Sequence, residues 1–341
     1  MSDTLREVGE FGLIRRIDSL VKREGASAPG VEVGIGDDAA CLKPREGFRI
    51  LVTCDCIVEG RHYLPDKISA LDLGRRAMAL NISDIGAMGG HPLYALVSLG
   101  LKAETPVGYV EDMFRGFVTE LNPFGASIVG GNLTKTGDGL FIDITLIGEV
   151  EHGKMLRRST AREGDAILVT GFPGRSAAGL KLLLGSRDWE DLRDHPLVRA
   201  YTTPSHRAFE GKAVADSGYA TAMIDTSDGF LGDLGHICEE SRVGAELYQS
   251  RLPVCDELRE AARRFGIEPY ELVLQESDDY ELIITCAPEN VAKIKALLAE
   301  ISNDPVTEVG RIVDSSRGII LILEDGSREP LVPGGWDHFT Q

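Results

Sequence analysis

The feature that most constrains the fold is a repeated switch between two hydrophobic periods along the chain. Runs rich in β-branched and apolar residues predict strands over 31–36 and 49–56. Apolar residues at helical spacing predict a helix over 69–88, with Ser69 as its N-cap and Asp72 three residues later. Strands that alternate with helices predict a mixed α/β fold.

The same alternation continues through the rest of the chain. We expect a helix over 107–121 and strands over 94–101, 127–131 and 140–150. A polar, basic stretch without periodicity covers 151–158, and a new strand is predicted from Ala166. Because 341 residues are enough for about two domains, we place the domains at 1–150 and 151–341.

Charge limits the classes of partner. The chain has 54 acidic and 36 basic residues, a net charge of -18, which disfavours nonspecific binding to nucleic acid or to an anionic membrane. Any phosphate must therefore be held by a few placed cations, helix N-termini or bound metal. The N-terminus lacks a leader pattern and no apolar run approaches about 18 residues, so we expect a cytoplasmic protein.

Four acidic clusters follow predicted strands or interrupt predicted helices. They are "GIGDDAA" with Asp38, "VTCDCIVEGRHY" with Asp55, "ALNISDIGAMGG" with Asp84, and "DTSDG" with Asp225 and Asp228. Each cluster alone is equally typical of a cap, a turn or a solvated face. Cys54 and Cys56 flank Asp55 and should point to the opposite face of the strand, so they are not predicted zinc ligands.

Asp84 is harder to explain as a surface residue. Helical spacing places it among Leu80, Ile85 and Met88, where an unpaired buried charge would cost several kcal/mol. Mg²⁺ takes oxygen ligands and is commonly held by one or two carboxylates together with substrate phosphates. Carboxylates that come from several elements therefore predict metal-dependent nucleotide-phosphate chemistry.

A glycine-rich segment, "GFPGRSAAG" from Gly171, lies between a predicted strand and a predicted helix. It could hold an anion at the helix N-terminus, or it could be a plain tight turn. It is not a Walker A motif, since no Gly-Lys-Ser/Thr follows.

Taken together, the motifs resemble those of the thiamine-monophosphate kinase family, whose superfamily includes aminoimidazole ribonucleotide synthetase, selenophosphate synthetase and a hydrogenase maturation protein. They follow the family's order over nearly the whole chain: "EFGLIRRI", "GIGDDAA", "VTCDCIVEGRHYLPD", "ALNISDIGAMGGHPLYALVSLGL", "IVGGNLTK", "LRRSTAREGDAILVTG", "GRSAAGL", "IDTSDGFLGDLGHI", "DDYEL" and "GGWDHF". The resemblance implies a two-domain aminoimidazole ribonucleotide synthetase-like architecture with mixed sheets. It also implies a homodimer formed through sheet edges of the first domain.

The implied activity is the ATP-dependent phosphorylation of thiamine monophosphate to thiamine diphosphate, with several Mg²⁺ ions between the domains and across the dimer interface. Residues of this chain that fall on the family's metal-binding positions are Asp38, Thr53, Cys54, Asp55, Asp84, Asn132, Asp225 and Asp228. Among these, the ones expected to act in catalysis are Asp38, Asp55, Asp84 and Asp225. Those on ATP-contacting positions are Gly131, Asn132, Arg158 and Ser227, and those on thiamine phosphate positions are His62, Asp278 and Trp336.

This chemistry suits the residues that the chain offers. A phosphate monoester is already an ionised nucleophile at neutral pH, so in-line attack on the γ-phosphorus of ATP needs positioning and charge neutralisation rather than a strong base. A Ser-His-Asp set is not required, and none is evident in the sequence.

Three motifs depart from the family's pattern. The usual Gly-Gly-Asp is Gly-Gly-Asn132, the usual Thr-Asp is Cys54-Asp55, and the usual Gly-Gly-Glu-Asp is Glu-Ser-Asp278-Asp. A soft thiol suits Mg²⁺ poorly. Two alternatives therefore stay open: a related ATP-dependent enzyme that acts on another small molecule, and an ATP-binding protein whose catalytic metal site has decayed.

Overall fold

The structure is a computed structural model that describes residues 4–8, 10–26, 28–33, 35, 40–137, 139–186 and 189–334. These residues form two compact units. The N-terminal unit contains the described residues up to Ile85 together with 90–152, and the C-terminal unit contains 86–89 and the described residues from Gly153 onward.

The N-terminal unit is built around a four-stranded sheet. Its helices are α1 (Leu5–Val8), α2 (Glu10–Glu24), α3 (Ala70–Ala87) and α4 (Val107–Leu121), and its strands are β1 (Val31–Val33), β2 (Cys41–Leu42), β3 (Phe48–Val58), β4 (His91–Leu101), β5 (Ser127–Lys135) and β6 (Phe141–Glu151). The sheet order is β3-β6-β4-β5, with β4 and β5 parallel and the other pairs antiparallel. Strands β1 and β2 form a separate two-stranded sheet.

Helix α3 begins where the sequence predicts. The Ser69 hydroxyl accepts the Asp72 N–H at 3.1 Å and donates to the Asp72 carboxylate at 2.7 Å, which satisfies one of the free N–H groups of the first turn. Strand β4 begins at His91, three residues earlier than expected, and it includes Pro92. The neighbouring strand β5 pairs with β4 only from Tyr94 onward, so the missing N–H of the proline breaks no pairing with β5.

Strand β3 is an edge of the four-stranded sheet, and its two faces differ. Leu51 and Ile57 are buried. The alternate residues Ile50, Val52 and Val58 are 47%, 64% and 36% exposed. An eleven-residue edge strand therefore presents an apolar row to solvent.

The C-terminal unit contains a seven-stranded sheet of order β13-β12-β9-β11-β7-β10-β8. The strands are β7 (Ala166–Thr170), β8 (Ala220–Asp225), β9 (Val243–Tyr248), β10 (Leu282–Cys286), β11 (Val306–Asp314), β12 (Ile319–Ile322) and β13 (Arg328–Leu331). The helices are α5 (Arg175–Leu184), α6 (Pro196–Thr202), α7 (Ala208–Ser217), α8 (Phe230–Ser241), α9 (Asp256–Phe265), α10 (Pro269–Leu274) and α11 (Val291–Ala299). All pairs are antiparallel except β9 with β12.

Both faces of the central strands are covered. Ile167 and Val169 pack into a core with residues of α8, whereas Ala166 and Leu168 pack into a second core with residues of α7 and α11. All five residues of β7 and of β10 are buried. The continuous apolar sequences of these strands follow from this burial on two sides.

The antiparallel register brings three loops to one edge of the large sheet. Leu282, the first residue of β10, is opposite Asp225, the last residue of β8, and Ile283 is opposite Val169 near the end of β7. The loops after β7 and β8 and the loop before β10 therefore meet. They carry the glycine-rich segment, "DTSDG" and "DDYEL" respectively.

No helix in the described part of the chain has the length and hydropathy needed to cross a bilayer.

Candidate active site

The first polar group lies in the N-terminal unit, where α3 passes strand β3. The Thr53 hydroxyl donates a hydrogen bond to the Asp84 carboxylate. Asp84 is half-buried, and Asp55, two residues beyond Thr53 on the same face of β3, is half-buried as well. The structure thus brings predicted residues of two elements to one face of the sheet, and a hydroxyl donor contacts the carboxylate of Asp84.

Cys54 and Cys56 lie on the other face of β3, as predicted, and both are exposed. The Cys54 thiol contacts the Asp143 carboxylate at 3.2 Å and accepts from the Thr145 hydroxyl at 3.5 Å. The Thr145 hydroxyl lowers the pKa of the Cys54 thiol, but burial and the Asp143 carboxylate together raise it above its usual value. The side chain of Cys54 therefore lies away from the face that carries Thr53 and Asp84, and only its main chain borders that group.

Gly131 and Asn132 lie on β5, the other edge strand, and both are exposed. Asn132 pairs with Ser98 of β4, and Ser98 pairs on its other side with Asp143 of β6. His62 lies in the turn after β3, where its Nδ1 accepts the Val58 N–H at 2.9 Å. The proton of a neutral His62 ring is therefore on Nε2.

In the C-terminal unit, Thr226 joins two predicted motifs. We call residues 225–229 the Asp225 loop and residues 276–281 the Asp278 loop. The Thr226 N–H donates to Glu281 O at 2.8 Å, and Thr226 O accepts the Tyr280 N–H at 2.8 Å. The Thr226 hydroxyl accepts the Glu281 N–H at 3.0 Å. These three hydrogen bonds fix the Asp225 loop, which carries predicted metal and ATP residues, beside the Asp278 loop, which carries a predicted substrate residue.

The Asp225 loop contains a cluster of carboxylates. Asp225 is 5% exposed, and Asp228 is half-buried. Asp233, in the first turn of α8, accepts the N–H groups of Asp228 and Gly229 at 3.0 and 3.1 Å. Burial, together with the charges of Asp225 and Asp228, raises the pKa of Asp233 well above its usual value.

His236 completes this cluster one helical turn beyond Asp233. The ligand atoms of Asp228, Asp233 and His236 all lie within 4.8 Å of one another, the spacing of groups that could hold a metal ion. Neither Asp233 nor His236 was predicted from the sequence to have a role in the site. The i, i+3 spacing of these two residues on a helix that follows "DTSDG" was the available signal.

The glycine-rich segment after β7 proves to be a turn whose helix N-terminus is already occupied. Asp279 accepts the N–H groups of Gly174 and Ser176 at 2.5 and 2.8 Å, and it is 7% exposed. The anion at the N-terminus of α5 therefore belongs to the protein itself. Burial raises the pKa of Asp279 to about 6, although the two N–H donors lower it.

Two glycines of this segment are required by close approaches. Gly171 has φ +55°, and a Cβ there would lie 2.0 Å from Glu281 Oε1. Gly174 has φ +95°, and a Cβ there would lie 2.2 Å from Leu272 O. Both positions need φ values that other residues rarely adopt, so packing, rather than phosphate binding, accounts for the glycines.

Below this turn, Glu281 is held in a buried ion pair. Arg207 Nε and Nη2 donate to its two carboxylate oxygens at 2.6 and 2.7 Å, and the Thr170 hydroxyl donates at 2.6 Å. Glu281 and Arg207 are 4% and 5% exposed. Between Asp279 and Glu281, Tyr280 adopts φ +56°, a left-handed conformation that a bulky residue keeps only where its neighbours are firmly fixed.

The other predicted residues are less defined by contacts. Ser227 is exposed in the Asp225 loop, and Arg158 is exposed in a short 3-10 turn where its carbonyl accepts the Ser241 hydroxyl at 2.8 Å. Asp278 is half-buried beside α5. Asp38 and Trp336 lie outside the described residues.

In each unit, taken by itself, the polar groups described above suit a hard divalent cation. Thr53, Asp55, Asp84, Asp225 and Asp228 offer oxygen atoms, the ligands that Mg²⁺ prefers. One turn before Asp84 on α3, Asn81 is fully buried, and its Oδ1 is among the few buried polar atoms of the described chain with no hydrogen-bond partner. Its amide nitrogen donates to Ala77 O at 3.2 Å, so the unpaired oxygen remains available to accept from a metal-bound water.

Comparisons with known proteins define the class first. Residues 36–150 match the family model "AIR synthase related protein, N-terminal domain", and residues 162–322 match "AIR synthase related protein, C-terminal domain". A solved structure of the hydrogenase maturation protein HypE in complex with ATP shares the fold, with a TM-score of 0.75 at 19% identity over 97% of each chain.

Curated relatives narrow the class. The thiamine-monophosphate kinase of Escherichia coli K12 is 35% identical over 97% of this chain and 98% of its own length. That of Bacillus subtilis is 32% identical over 97% and 99%. The crystal structure of the Stenotrophomonas maltophilia enzyme covers 94% of this chain and 98% of its own, with a TM-score of 0.79 at 32% identity. A structure of AaThiL complexed with AMPPCP and TMP covers 99% and 100%, with a TM-score of 0.75 at 30% identity. The chain belongs to the thiamine-monophosphate kinase family.

Proposed function

We propose that the protein transfers the γ-phosphoryl group of ATP to thiamine monophosphate, giving thiamine diphosphate and ADP. The observation that most strongly supports the proposal is the length of chain over which the sequence matches curated relatives. Relatives named as thiamine-monophosphate kinases match 97% of the chain, so both acidic groups described above lie within the matched sequence. The relative complexed with AMPPCP, a non-hydrolysable ATP analogue, and TMP supports the same pair of substrates.

The reaction needs little acid-base chemistry from the protein. An ionised oxygen of the thiamine monophosphate phosphate forms a bond to the γ-phosphorus, and the bond between that phosphorus and the β,γ-bridging oxygen breaks, so that ADP leaves with the electron pair. The phosphate of a monoester has a second pKa of about 6, so it is already the nucleophile at neutral pH. Residues of the site then act by holding the two substrates in line.

We assign the carboxylates and hydroxyls of the two groups to metal binding: Asp38, Thr53, Asp55, Asp84, Asp225 and Asp228, with Cys54 contributing its main chain and Asn132 its amide. Bound Mg²⁺ would supply charge neutralisation between two polyanions, which this acidic protein does not provide by its overall field. Gly131, Asn132, Arg158 and Ser227 are assigned to ATP. His62, Asp278 and Trp336 are assigned to thiamine monophosphate.

We also propose that the protein is a homodimer. The apolar row Ile50, Val52 and Val58 on edge strand β3 is the kind of surface that a second chain covers. The two cysteines between these residues are exposed on the same face, so the face carries no charged side chain of β3 between Ile50 and Val58. Pairing with a second copy would remove the apolar row from water.

A coupled assay of ADP release tests the function. With Mg²⁺ and ATP present, ADP release should depend on thiamine monophosphate and should fall to background when thiamine replaces it, since thiamine has no phosphate to act as nucleophile. Asp84→Asn and Asp225→Asn should each lower kcat by at least about 100-fold, the order expected when a group that stabilises transferring charge is removed. ADP release that does not depend on thiamine monophosphate would reject the proposal. It would favour either an ATP-dependent enzyme that acts on another small molecule or an ATP-binding protein without this activity.

A further inference from the structure

The segment that fills the N-terminus of α5 also carries the proposed substrate residue. Asp279 takes the N–H groups of Gly174 and Ser176, and the Ser277 hydroxyl accepts the Ala177 N–H at 3.0 Å. These N–H groups belong to the cap and first turn of the helix, which have no partners inside it. Residues on both sides of Asp278 are thus fixed to one rigid element.

Ser176 extends this contact to Asp278 itself. Its hydroxyl donates to Asp278 Oδ1 at 2.5 Å, while its N–H donates to Asp279. Ser176 is fully buried. A single buried residue therefore holds two consecutive carboxylates, and a hydrogen bond from a hydroxyl to a carboxylate is of the stronger, charge-assisted kind.

We infer that Ser176 and Ser277 are positioning residues that orient the Asp278 carboxylate for the cationic part of thiamine monophosphate. The inference rests on the proposed function, and specifically on the assignment of Asp278 to the substrate. The thiazolium ring and aminopyrimidine of thiamine are partners that a carboxylate can recognise through charge and hydrogen bonding. The phosphate is not, because like charges repel.

Features of the Asp278 loop restrict the direction in which the Asp278 carboxylate can point. Asp278 has a side chain one methylene shorter than glutamate, so its carboxylate stays close to the backbone of the Asp278 loop. The Ser176 hydroxyl contacts this carboxylate directly, and Ser277, the residue before Asp278, is held in place by its hydrogen bond with the Ala177 N–H. With Tyr280 in a left-handed conformation and Glu281 in its ion pair, the loop has little freedom to rotate the carboxylate toward another direction.

Steady-state kinetics on the full chain with Mg²⁺, ATP and thiamine monophosphate test the inference. Ser176→Ala removes the donor to Asp278 and should raise the KM for thiamine monophosphate about tenfold, as expected for loss of a hydrogen bond to a charged group. The KM for ATP should stay within about twofold. Ser277→Gly should act in the same direction, by roughly threefold, because Asp279 still holds the loop.

The matched control is Ser217→Ala. Ser217 donates to Val214 O at 2.6 Å and accepts the Tyr219 N–H at 3.2 Å at the end of α7, so the variant loses side-chain hydrogen bonds of a serine hydroxyl away from the loop. It should change neither KM. Thermal unfolding of each variant identifies any that fail to fold, and if Ser176→Ala fails to fold, Ser277→Gly decides the question.

A double-mutant cycle distinguishes positioning from general structural support. If Ser176 acts through Asp278, adding Ser176→Ala to Asp278→Ala should change the KM for thiamine monophosphate by less than about twofold. The inference is overturned if the two effects multiply, if both KM values rise alike, or if Ser176→Ala leaves the KM for thiamine monophosphate unchanged.

Failure of the proposed function gives a different result. In that case the wild-type protein shows no turnover with thiamine monophosphate, and calorimetry then measures its binding to the same variants. Absence of binding to the wild type would reject the proposed function and this inference together. If the wild type binds thiamine monophosphate and Ser176→Ala weakens that binding about tenfold, the role inferred for Ser176 is upheld although the proposed kinase activity is not.

Discussion

At the scale of single residues, the two faces of β3 separate groups that are adjacent in sequence. The Thr53 hydroxyl donates to Asp84, whereas the Cys54 thiol contacts Asp143 on the opposite face. A cysteine at position 54 therefore removes no side-chain oxygen from the face of Asp84. This geometry weakens the alternative in which a metal site has decayed through Cys54.

Substitution of the two neighbours tests this separation. Cys54→Thr, which restores the residue usual in the family, should change kcat/KM by less than about threefold. Thr53→Val removes the donor to the Asp84 carboxylate and should lower kcat/KM by more than about tenfold, since a hydrogen bond to a charged group is lost. A large gain of activity in Cys54→Thr would show that the thiol had impaired the site.

Asp279 gives a pH dependence that can be measured. Its pKa in the folded protein is about 6, above the ordinary aspartate value of 3.8, so between these values the folded state binds more protons than the unfolded state. This group alone therefore makes the free energy of unfolding decrease as the pH rises from about 4 to about 6, by on the order of 3 kcal/mol.

Asp279→Asn removes that titration. The difference in unfolding free energy between the wild type and Asp279→Asn should be largest near pH 4 and should shrink as the pH rises through 6. Urea unfolding at several pH values between 4 and 7 measures the difference. Curves that stay parallel over this range would contradict the assignment of a raised pKa to Asp279.

At the scale of elements, the turn into α5 depends on glycine for its geometry. A Cβ at Gly174 would meet Leu272 O at 2.2 Å in addition to requiring φ +95°. Gly218, which ends α7 with φ +69°, has no atom within 4 Å of its Cβ position. An alanine would therefore be forced into a left-handed conformation at either position, but only at Gly174 would its Cβ also clash with a neighbouring atom.

Gly174→Ala and Gly218→Ala form a matched pair. We expect Gly218→Ala to cost about 1 kcal/mol of unfolding free energy, from the left-handed conformation alone. Gly174→Ala should cost at least about 3 kcal/mol, because the clash adds to the same strain. Urea unfolding of both variants measures the difference, and equal costs would mean that Leu272 can move aside.

The elements also show what sequence patterns can and cannot predict. Helix α4 has the predicted bounds and strand β7 begins at the predicted Ala166, since the helix has regular periodicity and the strand is a clear apolar run. Strand β9 was not predicted, although it lies between β11 and β12 in the sheet. Its pairing depends on residues far apart in sequence, which local periodicity does not reveal.

The site shows the same limit. The carboxylates at 55, 84, 225 and 228 could be proposed from position and residue type. The occupation of the α5 N-terminus by Asp279 could not, because the two partners are about 100 residues apart. From the sequence, the glycine-rich segment could be either an anion-binding helix N-terminus or a plain turn. In the structure, the carboxylate of Asp279 occupies that N-terminus.

At the scale of the whole molecule, the exposed apolar row of β3 predicts self-association. Val52 is 64% exposed at the middle of the row. Val52→Glu would place like charges against each other in an interface formed by two copies of β3, where burial of an unpaired charge is costly. The variant should be monomeric, whereas the wild type should be a dimer.

Sedimentation velocity measures both states. Asp325→Ala, in the exposed turn between β12 and β13, is a suitable control, since it removes a charge from the C-terminal unit rather than from the four-stranded sheet. It should leave the association unchanged. A wild-type protein that sediments as a monomer at micromolar concentration would contradict the proposed homodimer.

Transfer of a phosphoryl group from ATP to thiamine monophosphate is the activity on which the roles of all these residues depend. The most direct measurement follows the γ-phosphate of ³²P-labelled ATP in the presence of Mg²⁺ and thiamine monophosphate. We expect the label to appear in the terminal phosphate of thiamine diphosphate, in equal amount to the ADP formed. Label that appears only as inorganic phosphate, or that remains in ATP, would contradict it.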